Sequence, residues 1–181
     1  YHDPSRFSMC QVGIGPSIAQ YETEEIVRAT VDLAEKLDIM VHGHLAESQH
    51  EVEYTIEHFG CRPVEWFRRH DMLGDRFYYA HCIHLNDEEV ELMAKTNTGI
   101  STCPISNMYL SSGSCRVPDF LRAGVTRFGI GVDGAASSNS ANMMEEIRVS
   151  YLLNRLSWGQ LRQRRGRALS GHRRRSQGAQ P

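Results

Sequence analysis

The sequence predicts an α/β fold built on a parallel β-sheet. Short apolar runs rich in β-branched residues recur five times, amphipathic helical patterns fill the intervals between them, and helix start and stop signals sit at the junctions. Strands and helices alternating at this spacing form right-handed βαβ units, which lay successive strands parallel. A chain of 181 residues, 40% apolar and 23% charged, can bury one domain-sized core. That composition excludes a wholly disordered, collagen-like or disulfide-stapled chain.

Residues 9–14 form the first expected strand. Thr23 then caps a helix whose first turn holds Glu24 and Glu25, where the helix dipole favours negative charge. Ile26, Ala29, Leu33 and Leu37 give this helix one apolar face through Asp38. Residues 39–44 are the second strand. Val52, Ile56 and Phe59 mark the helix after it, closed by Gly60. Pro63 can open a short helix with Trp66, Phe67 and Leu73. A third strand follows over 76–82, a helix from its cap at Asn86 to Lys95, and a fourth strand over 98–102. A short helix over 117–123, a last strand over 127–132 and a last helix over 142–156 complete the pattern.

After Trp158 the pattern stops. All 22 acidic residues lie at or before Glu146, so residues 1–157, with 13 basic residues, carry a net charge of −9, whereas the last 24 residues carry seven Arg and no acid. The chain is therefore expected to divide into a barrel-forming body over 1–158 and a basic tail over 159–181, read as disordered or out of frame. An Arg-rich arm could contact nucleic acid, but the acidic body argues against that partner. Five cysteines without a C-x-x-C pair read as reduced, mostly buried thiols. No run approaches the roughly 18 apolar residues of a membrane span, and the opening residues lack signal-peptide character, which sets the expectation of a cytoplasmic protein.

Chemistry is suggested by four places at strand ends. His42 and His44 alternate on one strand and so face the same way, and Glu47 lies three residues past His44. A buried His is ordinarily a hydrogen-bonded core residue, but two in alternation followed by a carboxylate suit a metal or proton-transfer role. His81 ends the third strand. Asp133 closes the last apolar strand, where an acid is costly to bury unless paired or bound to a cation. Side chains at the carboxyl ends of successive parallel strands converge above the sheet, and imidazole with carboxylate suits Zn²⁺ or Fe²⁺. The joint pattern points to a mononuclear hydrolytic metal site.

The runs His42-Gly43-His44-Leu45-Ala46-Glu47-Ser48, Ala80-His81-Cys82-Ile83-His84-Leu85, Cys103-Pro104-Ile105-Ser106-Asn107-Met108 and Gly131-Val132-Asp133-Gly134-Ala135-Ala136-Ser137 resemble, in order, the signatures of the amidohydrolase superfamily, in its branch of cyclic deaminases and s-triazine hydrolases. The resemblance implies a partial (β/α)8 barrel with strands four to eight present. It also implies hydrolytic deamination of a purine-like cyclic amidine such as 8-oxoguanine, with triazine hydrolysis or adenosine-type deamination as alternatives. One divalent ion per subunit, zinc or alternatively iron, would be held by His44 and Asp133. Glu47 would shuttle a proton to the ring nitrogen, His81 would polarise the attacking hydroxide, and Asp133 would also act as general base. His42 would stand behind the ligands, and Asn107, Ser137 and Asn139 would line the substrate pocket. The family's H-x-H ligand pair has no counterpart before His42, so two of four metal ligands are present. Partners would be a small-molecule substrate and water, with no membrane, in a homo-oligomer. H-E-x-x-H, G-x-S-x-G and the H-x-E with P-C-x-x-C pattern of cytosine and adenine deaminases are all missing from these 181 residues.

Overall fold

The computed structural model describes residues 1–5 and 7–156. Five strands, β1 (Gly13–Ile14), β2 (Met40–Leu45), β3 (Phe77–His81), β4 (Gly99–Thr102) and β5 (Phe128–Ile130), form one parallel sheet in the order β1-β2-β3-β4-β5. The connections carry a 3-10 turn (Ala19–Tyr21), α1 (Glu24–Leu37), α2 (Gln49–Phe59), α3 (Pro63–Arg69), α4 (Asp87–Lys95), α5 (Pro104–Tyr109) and α6 (Val117–Ala123), and residues 143–156 are helical after β5.

The strand order never reverses. Doubly wound sheets reverse at a switch point and take helices on both faces, whereas a barrel winds one way and takes them on one face only. Burial along the strands matches the barrel. Val41, Leu45, Phe77, Tyr79 and Ile100 sit in the hydrophobic core beneath the helices. Their alternating neighbours Met40, His42, His44, Tyr78 and Ser101 are only half-buried. The architecture is the expected partial (β/α)8 barrel, with its inner face open among the described residues.

Local signals account for the helix ends. The Thr23 and Ser48 hydroxyls accept from the N–H groups of Ile26 and Glu51 at the starts of α1 and α2. Gly60 ends α2 at φ +67°, a left-handed conformation that glycine adopts without Cβ strain. Asn86 and Glu89 form a complete capping box on α4.

Two expectations are corrected. The first strand pairs over two residues rather than six, because the segment before it is engaged locally: Asp3 N–H donates to the Cys10 carbonyl at 3.0 Å and Val12 N–H to His2 Nδ1 at 2.9 Å. The apolar face expected of α1 is not its buried one: Ile26, Leu33 and Leu37 are 49%, 45% and 51% exposed, while Val27, Thr30 and Ala34, one position on, are buried. The expected tail over 159–181 and the boundary at 158 lie outside the described residues. Among the described residues, no helix is long and apolar enough to cross a membrane.

Candidate active site

The carboxyl ends of β2, β3, β4 and β5 deliver their side chains to one place on the half-open face. On β2, His44 is held by a hydrogen bond between Nδ1 and the Ser17 carbonyl at 3.0 Å. A carbonyl can only accept, so Nδ1 carries the proton and Nε2 keeps its lone pair, as in a histidine prepared to ligate a metal. His42 lies one pleat earlier, its Nδ1 3.2 Å from the Tyr78 carbonyl and its ring stacked on Tyr78 at 4.4 Å. Burial leads the effects that push the His42 pKa down, so the ring is neutral at physiological pH.

His81 reaches the site by leaving the β pleat. It is in register with Leu45, which faces the helices, so simple alternation would turn His81 outward too. Instead His81 and Cys82 adopt φ of +70° and +49°. The His81 ring stacks on His44 at 5.3 Å while remaining only 1% exposed. Left-handed non-glycine residues are costly and persist where surrounding contacts fix them. Ala46 (φ +48°) and Asp133 (φ +64°) repeat the device after β2 and β5.

His81 is the centre of the charge arrangement. Its Nδ1 lies 2.7 Å from Asn107 Oδ1, a hydrogen bond that fixes the ring and leaves Nε2 toward the site. That Nε2 faces two carboxylates, Glu47 Oε2 at 3.7 Å and Asp133 Oδ2 at 3.8 Å. Both distances exceed a hydrogen bond. Asp133 is anchored by Ser106, whose hydroxyl donates to Oδ2 at 2.6 Å, and by Gly134 N–H, which donates to Oδ1 at 2.6 Å. Burial raises the Asp133 pKa, but the hydrogen bonds from Ser106 and Gly134 lead the effects that outweigh it, so the carboxyl is held below its ordinary value.

Cys103, at the end of β4, completes the group: ligand atoms of His81, Cys103 and Asp133 all lie within 4.8 Å of one another. Burial, reinforced by the carboxylates of Asp133, Glu146 and Glu47, pushes the Cys103 thiol up to about 12, so it is a neutral thiol when no cation is near. Imidazole and carboxylate donors converging at distances too long to satisfy one another suit a divalent cation.

Of the residues singled out in the sequence, His44, Glu47, His81 and Asp133 are brought together. Asn107 is buried behind His81, Ser137 is buried with its Oγ 2.8 Å from Ser106 Oγ, and Asn139 is exposed in the loop after Asp133. Sequence reasoning gave no role to Cys103 or Ser106. Their signal was position, since they follow the fourth strand as Glu47 follows the second. Replacing Asn107 by Ala should remove a buried partner of His81 and cost about 1–3 kcal/mol of stability. Nitrogen-15 spectra of the imidazole should then show a changed balance of His81 tautomers, and an unchanged spectrum would contradict the role assigned to Asn107.

The sequence profile of the amidohydrolase family matches residues 6–170. The chain is 38% identical over 159 residues to 8-oxoguanine deaminase of Pseudomonas aeruginosa, an alignment covering 88% of this chain and 35% of that protein. Among solved structures it superposes on a zinc-bound adenosine deaminase from Xanthomonas campestris with a TM-score of 0.79 at 30% identity, covering 82% of this chain and 34% of that one. It also superposes on atrazine chlorohydrolase from Arthrobacter aurescens complexed with zinc, with a TM-score of 0.74 at 26% identity, covering 78% and 31%. The chain thus spans about a third of the length of the relatives it matches.

Proposed function

Because the chain belongs to the amidohydrolase family, we propose that the protein containing it hydrolytically deaminates a purine-like cyclic amidine, with 8-oxoguanine the first candidate. The observation that carries this reading is the placing of two carboxylates, Glu47 and Asp133, within 4 Å of Nε2 of a buried histidine, His81, whose Nδ1 is held by Asn107. The identity to 8-oxoguanine deaminase supports the substrate class.

His44 and Asp133 would hold one divalent ion, zinc in preference to iron, with Cys103 and His81 beside them, and a purine-like ring would lie against Ser137 and Asn139. Zinc bound in two similar structures supports that choice. Such an ion supplies a water acidic enough to react near neutral pH. The remaining steps belong to side chains of this chain. Asp133 accepts a proton from the attacking water while His81 orients it. Glu47 protonates the ring nitrogen beside the carbon that bears the exocyclic amine. The C–O bond forms first; when the C–N bond breaks, the proton held by Asp133 leaves with ammonia, and the second proton of the attacking water, released as the carbonyl forms, returns to Glu47. Two carboxylates in different surroundings thus divide acid and base work.

Release of ammonia by the intact enzyme from oxidised purines and adenosine derivatives, and of ammonia or chloride from s-triazines, tests the reading. Release from 8-oxoguanine or a related purine is expected. Turnover of triazines alone, the outcome the likeness to atrazine chlorohydrolase would favour, overturns the purine assignment.

A further inference from the structure

We propose that Glu51 is a positioning residue for this site: its buried carboxylate seats the loop that carries Glu47 and, through that loop, the left-handed turn at His81. The inference rests on the roles of Glu47 and His81 given above, but the contacts that carry it involve neither of their side chains.

Ser48-Gln49-His50-Glu51 spells a capping box, in which the Glu at the third helical position would reach back to the N–H of the cap. Only half of that box forms. Ser48 Oγ accepts from Glu51 N–H at 3.2 Å, but the Glu51 carboxylate passes beyond the cap, accepting Ala46 N–H on Oε1 at 2.9 Å and Glu47 N–H on Oε2 at 3.0 Å. The contrast lies within the same molecule, since Glu89 in α4 returns to Asn86 N–H at 2.9 Å and completes its box. The difference is Ala46. At φ +48° it departs from the extended backbone and presents successive N–H groups to one side, a concavity that binds an anion. A carboxylate supplies the two acceptors this pair of donors needs.

Glu51 is fully buried, a costly place for a carboxylate that only a structural or functional demand explains. Burial is also the leading cause of its raised pKa, at about 7. The demand is visible in what rests on the same loop. The Ala46 carbonyl accepts from Ile83 N–H at 3.1 Å and His84 N–H at 3.0 Å, and the Leu45 carbonyl from Cys82 N–H at 2.9 Å. Residues 45–47 are therefore the template on which 82–84 are laid, immediately after His81 turns into the site. One carboxylate from α2 fixes the origin of both halves of the Glu47–His81 contact.

The test is amide exchange in the intact enzyme, which needs no turnover. In the unsubstituted protein the Ala46 and Glu47 amides should exchange slowly, with proton shifts displaced downfield by the carboxylate. Fast exchange and ordinary shifts would overturn the proposal without any variant being made. In Glu51→Gln, where one acceptor becomes a donor facing a donor, protection should fall about tenfold or more at Ala46, Glu47, Ile83 and His84 while Val41 and Tyr79 keep theirs. Uniform loss across the sheet would overturn it in favour of a merely structural role. Ser48→Ala is the control, since it removes the cap and leaves the carboxylate. If it reproduces the Glu51→Gln pattern, Glu51 acts only as part of a cap. With a substrate established, Glu51→Gln should lower kcat by about a hundredfold with KM and metal content little changed, the cost expected of a misplaced proton shuttle. Unchanged kcat would overturn the positioning role. Failure of every substrate with the exchange pattern intact would instead count against the deaminase reading.

Discussion

Changing Asp133 to Asn in the intact enzyme is expected to lower turnover by about 10²–10⁴-fold and to weaken metal retention, whereas Glu47→Gln should cost turnover on the same scale and leave the metal bound. The two carboxylates stand at almost equal distances from His81 Nε2, 3.7 and 3.8 Å, so distance does not separate their roles. Their anchoring does. Both Asp133 oxygens are held by donors, Gly134 N–H in its own loop and Ser106 Oγ from α5, and the carboxyl is held below its ordinary pKa. A fixed anion is what a cation site requires. An asparagine there would keep the shape and lose the charge, and its amide nitrogen would meet either Gly134 N–H or the Ser106 hydroxyl. Among the described residues the Glu47 carboxylate is in no hydrogen bond, only the longer contact with His81, as suits a group that passes a proton on. Metal content after dialysis against a chelator, measured beside steady-state ammonia release, separates the two. Equal metal loss in both variants would contradict the division of labour.

The fold was legible in the sequence where a local signal and the global arrangement agree. Thr23, Asn86, Pro63 and Gly60 each mark a helix end in the sequence and occupy that end in the structure. The alternation of apolar runs and amphipathic stretches gave five parallel strands in order. The site was legible in outline for a related reason: a polar residue that closes an apolar parallel strand has little reason to be there other than chemistry. Details were hidden where tertiary contacts override a local rule. The period of two places His81 with Tyr79 on the helix-facing side, and only its positive φ, which no residue type announces, brings it to His44. Glu51 reads as half of a capping box because the sequence cannot reveal that Ala46 turns left-handed. Asn107 reads as a pocket residue because nothing in its neighbourhood says that the helical turn after β4 will bury it against His81.

The 181-residue chain produced by itself is expected to be inactive and to self-associate. Association could be driven by the free strand edges or by exposed apolar side chains, and their magnitudes decide between them. β1 and β5 are the edges among the described residues, but they pair over only two and three residues. A few extra backbone hydrogen bonds at about 0.5–1.5 kcal/mol net each offer little. The apolar surface offers more. The helix over 143–156 exposes Met144, Tyr151 and Leu152 at 72%, 62% and 55%, and the inner face leaves Met40 and Tyr78 half-covered. Burying each such side chain gains about 1.5–3 kcal/mol. A (β/α)8 barrel typically takes about 250 residues, and the relatives this chain resembles are about two and a half times its length, so in a complete barrel these surfaces would have the other strands and helices to meet. In the isolated chain they have only one another. Its metal affinity should fall as well, because His44 and Asp133 are fewer than the three protein ligands a catalytic zinc usually has. Light scattering, thermal unfolding, metal analysis and ammonia release on the purified chain would be read together. A monomer that melts cooperatively, retains zinc and releases ammonia would mean that these residues already close both the sheet and the ligand set, and that the open face has been misjudged.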